Sequence, residues 1–130
     1  MIRLLWCFSF CLLAAFSFEV KAQTAILFCG GIENELPMGV SDRFYPDSAG
    51  TYLYAYYAQQ SPLAMKQIGM EVYKKSEDKF EPVGEKTLYN VKPKWKSTYI
   101  KCRFTSPGLY KVKLYDADQK LLAEGIVTIL

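Results

Sequence analysis

An alternation of apolar and polar side chains runs through the last third of this 130-residue chain and limits its fold more than any other feature. Ile100, Cys102 and Phe104 point to one side of an extended segment, while lysine and arginine occupy the positions between them. Residues 110–115 repeat the pattern after a Pro-Gly turn. Because successive side chains of a β-strand point to opposite faces, both segments are predicted to be strands with one buried face.

A hairpin is predicted at the C-terminal end of the chain. Its strands are residues 110–115 and 121–129, and the turn between them contains Asp116 and Asp118. Aspartate is frequent in turns because its carboxylate accepts hydrogen bonds from nearby backbone amides. The two strands are therefore expected to pair in antiparallel fashion.

Further strands are predicted where β-branched and aromatic residues alternate with polar ones between Gly, Pro, Asn and Asp clusters. They cover residues 24–29, 51–59, 67–74 and 87–91. A long loop is expected between the first two, a charged turn follows residue 74, and Ser61-Pro62 has the pattern that caps a single helical turn. About seven short strands without a long helical period predict an all-β, antiparallel, immunoglobulin-like β-sandwich. A small β-barrel is the alternative.

The first 22 residues have the three-part layout of a secretory signal peptide. Arg3 supplies a positive start, residues 4–18 are uncharged, and Val20 and Ala22 are small enough to precede a cleavage site. Fifteen residues span roughly 22 Å as a helix, which is less than the roughly 30 Å apolar thickness of a bilayer. We therefore predict a cleaved signal peptide at 1–22, rather than a membrane helix, and a single domain at 23–130.

No stable membrane anchor is predicted for the exported domain. A lipid anchor requires a small residue before a cysteine, but Cys7, Cys11 and Cys29 each follow tryptophan or phenylalanine. No later stretch of the sequence has the length and apolar character of a membrane helix. The expected location is the periplasm or the outside of the cell.

The charge of the domain is too small to indicate a nucleic-acid partner. The whole chain has 16 basic and 13 acidic residues, and Arg3, Lys21 and Glu19 belong to the signal peptide. The domain therefore keeps 14 basic and 12 acidic residues, a balance of +2. Nucleic-acid binding domains carry a much stronger basic patch.

Cys29 and Cys102 are the two cysteines of the predicted domain. An even number of cysteines in an oxidising compartment predicts a disulfide between them. Such a bridge would close a loop of about 70 residues and stabilise the domain by on the order of 4 kcal/mol. Two buried free thiols are the alternative, because sequence spacing alone does not make two cysteines neighbours in space.

Several segments resemble a bacterial envelope family of immunoglobulin-like sandwich domains catalogued as a domain of unknown function. The matching segments are residues 29–39, 95–98, 106–112 and 115–123. The chain departs from that family at Gln119, where glycine is common, and at Tyr110, where tryptophan is common. The resemblance implies a sandwich fold and export, and it brings no catalytic residues.

The chain contains no histidine, which removes the commonest general base, the usual serine or cysteine triad and the commonest zinc ligand. Two carboxylate pairs remain candidates for acid–base chemistry, Glu33 with Glu35 and Asp116 with Asp118. Both pairs lie in predicted turns, where acids more often accept backbone hydrogen bonds. The aspartate pair also lacks the spaced oxygen ligands of a calcium loop. We therefore predict no catalytic residue, no metal site and no cofactor.

Two groups of aromatic residues are candidates for a binding face. Tyrosines crowd the strand at 51–59, and a basic and aromatic run covers 92–103. Exposed aromatic rings stack on sugars or anchor protein partners, although tyrosines and lysines at alternating positions are also ordinary residues of edge strands. The candidate binding residues are Trp95, Tyr99, Tyr52, Tyr54 and Tyr56.

Together these features favour a non-catalytic interaction module of the bacterial cell envelope, which binds an unidentified protein or glycan. One alternative is a small carboxylate-dependent glycoside hydrolase, which requires two acids facing each other across a cleft. Another is a structural or assembly subunit that pairs with a partner chain through an edge strand.

Overall fold

Ten β-strands form the domain in the computed structural model, which describes residues 25–45 and 50–130. The predicted signal peptide at 1–22 lies outside the described residues. Within them there is no helix long and apolar enough to cross a membrane. The strands are β1 Leu27–Glu33, β2 Leu36–Val40, β3 Arg43–Phe44, β4 Thr51–Ala58, β5 Gln67–Ser76, β6 Lys79–Pro82, β7 Thr87–Asn90, β8 Ser97–Phe104, β9 Gly108–Tyr115 and β10 Leu121–Ile129.

The strands form two sheets. Sheet A has the order β2-β1-β4-β8, and sheet B has the order β3-β10-β9-β5, with β6 and β7 both pairing with β5. The short β3 runs parallel to β10, and the other pairs are antiparallel. The orders β1-β4-β8 and β10-β9-β5 correspond to strands A-B-E and G-F-C of immunoglobulin domains. The predicted immunoglobulin-like sandwich is therefore confirmed.

All seven predicted strands are present, with ends shifted by a few residues. Three additional strands, β2, β3 and β6, lie in segments predicted as loop or turn. Ser61-Pro62 starts no helical turn, because the amide of Leu63 donates instead to the carbonyl of Trp95 at 2.7 Å. This hydrogen bond joins the segment after Pro62 to the loop that precedes β8.

The core lies between the two sheets and is built from the alternating positions. Ile100, Cys102 and Phe104 of β8 are buried, and Val112 and Leu114 of β9 are fully buried. They belong to one continuous cluster that also takes in β1, β4, β5 and β10. Period-two alternation therefore identifies the inner faces of both sheets correctly.

Tyr110 ties the two sheets together where the chain crosses from β8 to β9. Its hydroxyl donates to the carbonyl of Ser106 at 2.7 Å, and its ring lies 4.5 Å from the ring of Phe104, centroid to centroid. A tyrosine near the start of this strand that bonds backbone a few residues upstream resembles the tyrosine corner of immunoglobulin domains. The bond fixes the crossover between the layers.

The predicted disulfide is not present, and Cys29 and Cys102 are both free and buried. Cys29 on β1 pairs with Tyr54, and Cys102 on β8 pairs with Leu53, so β4 lies between the two cysteines. Two strand spacings amount to about 9 to 10 Å, whereas bridged cysteines have Cα atoms less than about 7 Å apart. Cys102 also faces the core, while Cys29 lies outside the core cluster. The disulfide prediction was therefore wrong.

Candidate functional site

The outer face of sheet A carries the tyrosines that were predicted to bind. Because Leu53 and Ala55 face the core, the alternate residues of β4 face outward. In the register of β4 with β8, Tyr52 lies opposite Arg103, Tyr54 opposite Lys101 and Tyr56 opposite Tyr99. One surface thus combines aromatic and basic side chains.

Exposure separates the five candidate residues into two groups. Trp95, Tyr99 and Tyr52 are 43%, 47% and 48% exposed, so their rings are accessible to a ligand. Tyr54 is half-buried and packs edge-on against Tyr99 at 5.9 Å between ring centroids. Tyr56 is only 9% exposed, which contradicts its placement among the binding residues. It is covered even though it does not belong to the core.

A groove of about 310 Å³ lies beside Trp95 and Tyr99. It is lined by the continuous run 95–99, by Asn90 at the end of β7 and by Glu35 from the turn between β1 and β2. Its volume is at the lower end of the range for small-molecule sites, which is about 300 to 1,000 Å³. The groove therefore has room for a small ligand or for one unit of a longer one.

Glu35 lies at the tip of the β1–β2 hairpin, whose outer part does not pair with β4. β1 pairs with β4 only through residues 27–29 and continues as Gly30-Gly31. A straight β1 would end near Thr51, which is the opposite end of β4 from the start of β8. We infer that the hairpin bends back across the outer face, which also accounts for the burial of Tyr56.

Trp95 is held in place by hydrogen bonds on both sides of its backbone. Its amide donates to the carbonyl of Lys92 at 3.0 Å, which closes a β-turn with Pro93 at the favoured second position. Its carbonyl accepts from Leu63 at 2.7 Å, and the carbonyl of Lys96 accepts from Gln59 at 2.9 Å. The Trp95 backbone is therefore positioned before any ligand arrives.

Cations lie over several rings of this surface. Lys92 Nζ is 5.8 Å from the ring centroid of Trp95. Lys101 Nζ and Arg103 Cζ are 4.8 Å and 5.5 Å from the ring centroid of Tyr52. Rings of sheet B carry four further contacts of this kind, so they are not peculiar to this face.

One member of the two carboxylate pairs lines the groove, and the other pair belongs to a hydrogen-bonded turn. Glu35 is the one carboxylate among the described residues that line the groove. Asp116 Oδ1 accepts from the amides of Asp118 and Lys120, both at 2.9 Å, which confirms the predicted turn. The described residues also contain no group of three or more acids and cysteines placed to hold a metal ion.

Sequence reasoning named Trp95 and Tyr99 as binding candidates and Glu35 only as part of a carboxylate pair, and it did not single out Asn90. The two aromatic residues stand out in the sequence because they interrupt a run of lysines. Glu35 and Asn90 are polar residues next to turns, and only the bend of the hairpin and the position of β7 bring them to the groove.

No protein-family model matches the sequence, and no curated protein matches it significantly. Among solved structures, the soluble domain of PmoD from Methylocystis sp. ATCC 49242 (Rockwell) is similar with a TM-score of 0.48 and 11% identity, over 81% of this chain and 89% of that chain. Superoxide reductase (neelaredoxin) from Ignicoccus hospitalis has a TM-score of 0.41 and 10% identity, over 69% and 76%. The sulfur carrier protein SoxY from Chlorobium limicola f thiosulfatophilum has a TM-score of 0.34 and 11% identity, over 88% and 93%. Similarity at this level assigns neither a family nor an activity.

Proposed function

We propose that residues 23–130 form an exported, non-catalytic interaction module of the bacterial cell envelope that binds a glycan in the groove beside Trp95 and Tyr99. The layout of residues 1–22 supports export. The resemblance to the envelope sandwich family supports the same location. The observation that carries the binding proposal is the accessible ring of Trp95 on a backbone fixed by two hydrogen bonds.

The lining of the groove favours a sugar over a flat protein surface. The faces of Trp95 and Tyr99 provide apolar area for stacking, while Asn90, Ser97 and Glu35 provide amide, hydroxyl and carboxylate groups. Ligand sites combine apolar walls with a few polar groups in this way. A stable protein interface instead buries about 800 Å² on each partner, which a groove of this size does not supply.

The substitution Trp95→Ala is expected to lower the affinity for the bound glycan by about tenfold or more, because a central aromatic side chain often contributes over 1.4 kcal/mol to binding. Binding is measured by titration calorimetry with glycans selected on an array. Tyr45→Ala is the matched control, since Tyr45 is 81% exposed and does not line the groove. Affinity that is unchanged in Trp95→Ala would remove this groove as the binding site.

The edge strands favour assembly as a second candidate function. β2 and β8 are the outer strands of sheet A, and Leu36, Met38 and Val40 of β2 are each about half-exposed. An accessible apolar edge can pair with a strand of another chain. Light scattering coupled to size-exclusion chromatography measures the oligomeric state and so separates this role from glycan binding. Edge pairing between copies predicts an oligomer, and Met38→Lys should dissociate it into monomers.

A further inference from the structure

The positive charge of the domain is concentrated beside the groove. Residues 91–104 contain five lysines and arginines and no aspartate or glutamate. The rest of 23–130 therefore has nine basic against twelve acidic residues. The mild net charge of +2 hides this asymmetry, which creates a local positive field around β8 and the loop before it.

Two lysines of this surface, Lys92 and Lys101, lie over aromatic rings, and Glu35 is the one acid among the described residues that line the groove. Lys92 lies over Trp95 and Lys101 lies over Tyr52. The one salt bridge within the described residues joins Lys86 to Glu71, whose strand belongs to sheet B. A ring orients a cation without neutralising it, so Lys92 and Lys101 keep a full charge for an anionic ligand.

The outward side chains of β8 form a row that begins at the groove. Tyr99, Lys101 and Arg103 occupy alternating positions and are exposed. At the rise of an extended strand, the distance from Ser97 to Arg103 is about 20 Å. The row thus extends well beyond the groove, and Lys101 within it offers a cation to a negative group of a long ligand.

We propose that the ligand is an acidic oligosaccharide with carboxylates on its sugar rings, lying along β8 with one ring on Trp95 and Tyr99 and its carboxylates beside Lys101. This inference rests on the proposed function and adds the chemistry of its ligand. An acidic polypeptide shares the negative charge, but two aromatic rings beside a few polar side chains are the lining expected of a sugar site.

The test compares two ligands that differ only in charge. Free-acid oligogalacturonate and its fully methyl-esterified form are titrated into residues 23–130, and free-acid oligoalginate serves as a second uronate. We expect the free acids to bind about tenfold more tightly than the ester, since several carboxylates lie near cations. The difference should shrink as salt rises from 50 mM to 500 mM, because salt screens exposed charges.

The substitution Lys101→Gln should weaken binding of the free acid about threefold to fivefold, as expected for one exposed ion pair, and leave binding of the ester unchanged. Lys113→Gln is the matched control. Lys113 also lies over a tyrosine, with Nζ 5.1 Å from the ring centroid of Tyr73, but it belongs to β9 of sheet B. Lys113→Gln should leave the affinities for the free acid and for the ester unchanged.

The outcomes separate this inference from the proposed function. Equal affinity for free acid and ester, with Trp95→Ala weakening both, overturns the acidic ligand and supports the groove as a glycan site. Failure of both uronates to bind at low salt also overturns the acidic ligand. Tight binding of polyglutamate that depends on Lys101 and not on Trp95 overturns it in favour of an acidic polypeptide. Glycan binding that is unaffected by Trp95→Ala removes the proposed function itself.

Discussion

Gln119 occupies a backbone conformation that glycine adopts without strain. Its φ is +67°, in the left-handed region that costs other residues roughly 1 to 2 kcal/mol. The turn around it is otherwise well bonded, since its amide donates to the carbonyl of Asp116 at 3.1 Å.

We expect Gln119→Gly to be about 1 kcal/mol more stable than Gln119→Ala. Both variants lose the hydrogen bond that Lys86 donates to Gln119, so their difference isolates the backbone conformation. Urea unfolding followed by tryptophan fluorescence gives both free energies. Equal stabilities would show that the turn relaxes away from the left-handed conformation.

Ionisation of the Cys102 thiol is expected to lower the stability of the domain at alkaline pH. Burial in the core raises the pKa of its thiol from 9.0 to about 12, although a backbone hydrogen bond at Ala55 opposes the increase. Below pH 9 the thiol is protonated in both folded and unfolded chains, so its contribution to stability is complete. Between pH 9 and 12 only the unfolded chain loses this proton, and the free energy of unfolding falls as pH rises.

The substitution Cys102→Ala is therefore expected to lower stability by a constant amount below pH 9 and to flatten the decline above it. The slope that Cys102 adds approaches about 1.4 kcal/mol per pH unit at its steepest. Urea unfolding of both proteins between pH 7 and 10.5, with reductant present, gives the difference. Parallel curves across this range would contradict the burial of an ionisable thiol at this position.

Among the strands, β10 has a position where a side chain would collide with the opposite sheet. Gly125 pairs with Val112, which faces the core, so a Cβ on Gly125 would also point inward. Such a Cβ would lie 2.8 Å from Phe28 Cε2 and 3.2 Å from Ile26 Cβ. Because Gly125 has no side chain, the ring of Phe28 packs directly against the backbone of β10.

Gly125→Ala should therefore reduce the free energy of unfolding by about 1 to 3 kcal/mol, as overpacked cores do. Gly31→Ala is the control, since a Cβ there meets nothing within 4 Å, and it should change stability by less than about 0.5 kcal/mol. Thermal and urea denaturation measure both effects. A neutral Gly125→Ala would indicate that the sheets move apart at little cost.

Strands whose inner residues alternate strictly could be predicted from the sequence, and β8, β9 and β10 are examples. β2 escaped prediction because it contains Pro37 and Gly39, which usually interrupt strands, and it gains order only by pairing with β1. β6 was hidden in a charged turn and forms because it pairs with the end of β5. Hairpin pairing with the preceding strand across a two-residue turn decided both elements, whereas Glu35 is brought to the groove by contacts with segments distant in sequence.

At the scale of the whole molecule, the two layers are joined by packing and by the Tyr110 hydrogen bond, without a covalent link between Cys29 and Cys102. The denaturation midpoint of residues 23–130 should therefore be the same with and without dithiothreitol. A disulfide closing this loop would add on the order of 4 kcal/mol and would make the midpoint fall on reduction. Alkylation under denaturing conditions without reductant should label two thiols per chain, and protection of both would contradict the free cysteines.

The bent β1–β2 hairpin has an evolutionary consequence. Residues 30–40 contribute nothing to the core cluster, yet their tip places Glu35 at the groove where we propose that a glycan binds. Insertions and deletions in such a segment change the side chains at the groove while the core cluster stays intact, as happens in the loops of antibody variable domains. We expect homologues of this domain to vary most in hairpin length, and ligand preference to diverge along with that length.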